Sequence, residues 1–155
     1  MKEHQNLFRD LQEDFRKMKK NLLVAQSGGP TAAINATLAG VIKQAIKEEQ
    51  IDQVYGACYG IQGVLEQKFV NLTEKVDTEE KLEKLKRTPA AALGSCRFKL
   101  NDIKEDDSQY QEIVDILHKM NIGYFVYIGG NDSMDTVAKL SAYCKEKGVE
   151  DIKVI

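Results

Sequence analysis

Two glycine pairs constrain this 155-residue chain most, because each stands where an apolar run gives way to a helical pattern. Gly28-Gly29 follows Leu22-Leu23-Val24-Ala25 and leads through Pro30-Thr31 into Ala32-Ala33-Ile34-Asn35-Ala36-Thr37-Leu38. Gly129-Gly130 follows Tyr124-Phe125-Val126-Tyr127-Ile128 and opens Asn131-Asp132-Ser133-Met134-Asp135-Thr136. Proline is tolerated in a helix's first turn, where its missing N–H had no intrahelical partner. Glycine at a strand-to-helix turn lets the backbone approach a ligand with no Cβ in the way. The helix that follows points free N–H groups and its positive dipole end into the same space, which suits a phosphate. Two such turns in one small α/β unit place two anion sites on one sheet edge, at the carboxyl ends of the strands. Asn131, Asp132 and Ser133 add oxygens suited to a magnesium–phosphate ligand. The competing local reading is an ordinary turn capped by Asp132 or Ser133. Neither turn matches the lysine-containing phosphate loop or the dinucleotide fingerprint.

The rest of the chain alternates strand and helix. Ile34, Leu38, Val41, Ile42, Ala45 and Ile46 fall at helical spacing and are expected to face a sheet. A strand is expected over 52–58, then a glycine-spaced turn, and a short charged helix over 78–86 that Thr88-Pro89 ends. Residues 87–105 form a long connection of the kind that often binds ligands. Tyr110, Ile113, Val114, Leu117 and Met120 mark an amphipathic helix, followed by a strand at 124–128. Met134, Val137, Ala138 and Ser141 mark a last helix that Gly148 stops, with a final strand from Ile152. The expected fold class is α/β: an open, mostly parallel, Rossmann-like sheet with helices on both faces. Residues 20–155 form this domain, and residues 1–19 an N-terminal helical extension with Leu7, Phe8, Leu11, Phe15 and Met18 on one stripe. That extension either docks on a surface or is a mis-assigned start, with Met18 an alternative first residue.

Composition removes several function classes. With 43% hydrophobic and 30% charged residues the chain can build one core. A net charge of −2 makes no case for nucleic acid or an anionic membrane as partner. No apolar run approaches about 18 residues, and the N-terminus lacks a secretory pattern, so a cytoplasmic location is expected. Cys58, Cys96 and Cys144 are odd in number and widely spaced, as in reduced thiols rather than a disulfide framework or zinc site. His118 reads as a surface or core residue and Asp135 as a capping or structural one. Asp106-Asp107 reads as a helix start.

Four blocks in order resemble the phosphofructokinases over roughly residues 20–155. Ser27-Gly28-Gly29 with Asn35 resembles the family's first phosphate loop. Gly56, Gly60 and Gly63 resemble its spaced glycines, and Leu93-Gly94-Ser95-Cys96-Arg97-Phe98 its arginine loop. Gly129-Gly130-Asn131-Asp132-Ser133 is similar to the loop that holds the donor and its magnesium. The resemblance implies a donor-binding domain whose phosphate contacts are Gly28, Gly29, Arg97, Gly130, Asp132 and Ser133, with Mg²⁺ as cofactor. Arginine's planar fork suits a phosphate better than lysine would. It also implies fructose 6-phosphate as acceptor and a homo-oligomer. The Thr-Ile-Asp-Asn-Asp segment with the family's catalytic base is expected beyond Ile155, so the chain is expected to be an inactive N-terminal fragment, its donor-binding domain incomplete.

Two departures refine the resemblance. ATP-dependent members carry glycine where this chain has Asp132, whereas pyrophosphate-dependent relatives carry aspartate, so Asp132 is the candidate for donor selection. A carboxylate there occupies and repels the α-phosphate region of ATP, for which pyrophosphate has no group. Asn131 replaces the usual magnesium-associated aspartate, and its amide oxygen offers a hard cation a ligand without charge. The favoured reading is therefore a phosphotransferase moving phosphoryl from pyrophosphate to fructose 6-phosphate, giving fructose 1,6-bisphosphate in glycolysis. An ATP-dependent relative is the second reading; kinases acting on NAD or lipid fit the Ser27–Pro30 and Leu93–Phe98 blocks less well. A non-catalytic phosphate-binding or subunit-interaction protein is the third.

Overall fold

The computed structural model describes residues 6–7, 9–11, 13–14, 18–29 and 31–155. Phe8 and Phe15 of the expected N-terminal stripe lie outside the described residues; Leu7, Leu11 and Met18 are helical and exposed.

Five strands form one sheet in the order β3-β2-β1-β4-β5: β1 Lys20–Gln26, β2 Ile51–Ala57, β3 Phe69–Asn71, β4 Ile122–Ile128 and β5 Lys153–Val154. All neighbours are parallel except β2 with the short edge strand β3, which is antiparallel. The helices are α1 Ile34–Ala45, α2 Gly60–Leu65, α3 Leu72–Lys75, α4 Glu79–Arg87, α5 Ser108–Lys119 and α6 Asn131–Glu146. Alternation along β1 splits the interior into two cores. Leu23 and Ala25 face α2, α5 and α6, while Leu22 and Val24 face α1, α3 and α4. Helices thus cover both faces, which is why the central strands read as nearly unbroken apolar runs.

Helix ends follow from local chemistry. The Thr78 hydroxyl accepts from Lys81 N at 3.2 Å to start α4, whose first turn is acidic and last turn basic, as the helix dipole favours. Asp106 Oδ1 accepts from Ser108 N at 3.0 Å at the start of α5, and that bond lowers the Asp106 pKa, while Asp107 pairs with Lys147 at 3.2 Å. Gly148, at φ +69°, follows the end of α6.

Two helical faces differ from the expected stripes. On α1 the buried positions are Ile34, Asn35, Leu38, Ala39, Ile42 and Ala45, whereas Ile46 lies past the last turn and is half exposed. On α6 the inward face is Ser133, Thr136, Leu140, Tyr143 and Cys144, and Met134, Ala138 and Ser141 point outward. Polar residues on that inward face shift the apparent apolar period. Three elements were not anticipated: α2 with its two glycines, the three-residue β3 and the four-residue α3.

Ile42 is fully buried between α1 and the sheet, so Ile42→Ala is expected to destabilise the chain by about 2–5 kcal/mol. Ile46→Ala is expected to stay within about 0.5 kcal/mol. Urea denaturation followed by circular dichroism checks both.

Candidate functional site

The in-register pairing of β1 with β4 ends at Gln26 opposite Ile128, and Ser27 N then donates to Ile128 O at 2.8 Å. This last rung sets the two glycine pairs side by side at the carboxyl edge of the sheet. Gly28 adopts φ +83°, and a Cβ there would stand 3.1 Å from Gly130 N. A Cβ on Gly129 would overlap the Ser133 hydroxyl. Both positions therefore exclude side chains, one through conformation as well as space.

The arginine loop closes the third side. Ser27 Oγ donates to Cys96 O at 3.0 Å, and Ser95 Oγ donates to Gly28 O at 2.8 Å. Together they stitch residues 95–96 to the first glycine loop. The resulting cleft, of about 430 Å³, is lined by Ser27, Gly28, Gly29, Cys96, Arg97 and residues 130–133. It brings together all the candidate phosphate contacts, Gly28, Gly29, Arg97, Gly130, Asp132 and Ser133, with Asn131 beside them.

Individual side chains serve different purposes. Arg97 is exposed on the cleft, and among the described residues its guanidinium has no hydrogen-bond or ion-pair partner. Gly130 is the N-cap of α6 and makes no side-chain cap, so neither Asp132 nor Ser133 caps the helix. The residues of this first turn line the cleft at the positive end of a 16-residue helix, where backbone amides lack intrahelical partners. Ser133 is 2% exposed, and its Oγ is the one buried side-chain oxygen without a hydrogen-bond partner among the described residues. A buried hydroxyl left unpaired costs about 1–3 kcal/mol, so its place on the cleft wall is chemically informative. Asp132 is exposed, its Oδ1 3.5 Å from Lys99 Nζ.

Three buried groups hold this arrangement: Gln26 and Tyr127, which the sequence did not mark as functional, and Asn35, expected there as part of the first phosphate loop. Asn35 does not line the cleft. Its fully buried amide donates to the Thr88 and Ala90 carbonyls and accepts from Ala92 N at 2.9 Å and Gln26 Nε2 at 3.1 Å. Gln26, also fully buried, accepts from Leu93 N at 2.9 Å. These two amides pin residues 88–93, the approach to the arginine loop. Beneath Cys96, Tyr127 accepts from Ile61 N at 3.1 Å, and burial pushes its phenol up to about 12. Polar residues inside apolar strands or helices carry no periodic signal, though Gln26 at a strand's carboxyl end was a hint.

Other candidates lie elsewhere. Asp135 pairs with Lys139 at 2.7 Å and does not reach the cleft. His118, expected in a surface or core role, meets Asp151 at 3.1 Å near the amino ends of the strands, where Lys20 joins them. That contact is the main cause of the lowered Asp151 pKa. The three cysteines are free thiols, Cys96 half-buried on the cleft wall. No described helix is long and apolar enough to cross a membrane.

No cluster of three or more His, Cys, Asp or Glu side chains occurs among the described residues. The cleft's donor set is instead Asn131, Asp132 and the orphaned Ser133 hydroxyl. That set fits magnesium arriving on phosphates, since Mg²⁺ keeps waters and takes only one or two side-chain oxygens beside substrate phosphates.

Fold and cleft define an α/β domain with a cleft at its carboxyl edge built from two glycine loops and an arginine loop. The phosphofructokinase family profile matches residues 21–155, and the chain belongs to that family. It is 44% identical over 123 residues to the pyrophosphate–fructose 6-phosphate 1-phosphotransferase of Rhodospirillum rubrum, covering 79% of this chain and 29% of that protein. The crystal structure of the pyrophosphate-dependent phosphofructokinase from Nitrosospira multiformis superposes with a TM-score of 0.78 at 36% identity, covering 87% of this chain and 32% of that one. The ATP-dependent 6-phosphofructokinase 3 of Bacteroides thetaiotaomicron is 32% identical over 122 residues, covering 77% of this chain and 34% of that protein. The chain thus spans about a third of the length of these relatives.

Asn35→Ala strips partners from two carbonyls, one backbone amide and Gln26, and is expected to cost at least about 2 kcal/mol of stability in urea unfolding. An Asn35→Ala chain as stable as the parent would contradict the tether.

Proposed function

We propose that this chain supplies the donor site of a phosphotransferase that moves a phosphoryl group from pyrophosphate to fructose 6-phosphate. The observation that carries the reading is Asp132, a carboxylate on the cleft wall at the first turn of α6, where ATP-dependent members of the family carry glycine. The names of the Rhodospirillum and Nitrosospira relatives support it, as does the higher identity to the former than to the ATP-dependent relative.

In this reading the residues act by position and charge. Backbone N–H groups of Gly28, Gly29 and the start of α6 receive phosphate oxygens, with the Ser133 hydroxyl beside them. Arg97, its fork uncommitted, clamps a terminal phosphate with two parallel bonds. Asn131 and Asp132 supply the side-chain oxygens toward magnesium, which when bound neutralises phosphate charge. Asp132 also excludes a longer donor. Its carboxylate fills the space that a further phosphate of a longer donor would need.

Arg97→Ala is expected to weaken pyrophosphate binding to the chain by about 1.5–3 kcal/mol, read by titration calorimetry with magnesium present. Unchanged affinity would remove Arg97 from the donor site. Asp132→Gly in the enzyme carrying this domain is expected to admit ATP and lower kcat/KM with pyrophosphate. A parent that uses ATP as well as pyrophosphate, or an unchanged donor ratio in the variant, would hand the lead to the ATP-dependent reading.

A further inference from the structure

A carboxylate that repels ATP also repels pyrophosphate, which is itself a polyanion, so Asp132 alone cannot favour either donor by charge. The structure places a cation against it. In the arginine loop Phe98 packs against the core and Leu100 is buried, and the alternating Arg97 and Lys99 are exposed. Arg97 lines the cleft, whereas Lys99 stands just outside the lining and places Nζ 3.5 Å from Asp132 Oδ1. Asp135 is already paired with Lys139, and among the described residues no other cation lies within ion-pair distance of Asp132.

We propose that Lys99 is a specificity-determining residue: it neutralises the outer oxygen of Asp132, so that the carboxylate still blocks a longer donor by its bulk but no longer expels a compact diphosphate. Lys99 thereby positions and screens Asp132 rather than contacting the transferred group, and Arg97 keeps the direct phosphate contact. The inference rests on the pyrophosphate reading above. At a cleft open to water the pair is weak by itself, as exposed ion pairs are. Its effect emerges when an anion enters and excludes that water, because the unscreened carboxylate then meets phosphate charge directly.

A double-mutant cycle read by titration calorimetry tests this, with inorganic pyrophosphate and then ATP, each with magnesium, added to the parent chain, Lys99→Met, Asp132→Asn and the double variant. Lys99→Met is expected to weaken pyrophosphate binding about tenfold when Asp132 is present, and by less than about threefold when Asn stands at 132. Lys99→Arg, which keeps the charge, is expected to stay within about threefold of the parent. Equal losses in both backgrounds would make Lys99 a direct phosphate ligand and overturn the proposal. So would no loss in Lys99→Met, or a Lys99→Arg as weak as Lys99→Met. The donor preference of the parent chain is a separate readout: tighter ATP than pyrophosphate binding there would sink the pyrophosphate reading, whatever the cycle gives.

Discussion

The backbone bond from Ser27 N to Ile128 O is where the site begins, because it carries the β1–β4 ladder one step past the strands and brings two chain segments about a hundred residues apart into backbone contact. Everything at the cleft inherits its position from that rung. Gly28 can then sit against Gly130, with the start of α6 turned toward the same space as the first glycine loop. A side chain at either turn would force the strands' ends apart, and the two sets of amides would no longer converge. The sheet supplies rigidity cheaply here, since both strands are buried on both faces by separate apolar cores.

The arginine loop has no secondary structure of its own, so its order comes from side-chain hydrogen bonds. Gln26 and Asn35 form a buried amide pair that also holds the backbone of residues 88–93, while Gln26 Nε2 donates to Ile34 O as well. Ser27 and Ser95 exchange bonds with the backbones of the opposite segments. Such a fully satisfied buried network specifies one conformation, because any slip leaves desolvated polar groups unpaired. The loop can therefore present Arg97 and Lys99 on its exposed side without burying either charge. At the cleft one guanidinium thus has no partner among the described residues, while the one ammonium beside it is held by a carboxylate.

Much of this was legible in the order of residues, for physical reasons that differ from part to part. Paired glycines between an apolar run and a helical period leave few alternatives to a strand–helix turn, so both loops and the α/β class could be read directly. The single resemblance of the Leu93–Phe98 block drew attention to Arg97. Asn35 was grouped with the first phosphate loop by the family resemblance, yet α1 buries it away from the cleft, where it acts on residues 88–92 instead. Tertiary hydrogen bonds of this kind leave no trace in periodicity. Lys99 carries no mark in the sequence, and only the fold brings it to Asp132; the short α2 was hidden by two glycines that lower helix propensity.

Three segments distant in sequence that form a single phosphate-binding cleft must answer one ligand together. Amide chemical shifts of the chain, followed by nuclear magnetic resonance as magnesium pyrophosphate is added, test this. Gly28, Gly29, Arg97 and residues 130–133 are expected to shift together and to saturate along one binding curve, while residues around His118 and Asp151, near the opposite ends of the strands, stay unmoved. Shifts confined to one loop, or loops that saturate at different concentrations, would contradict it.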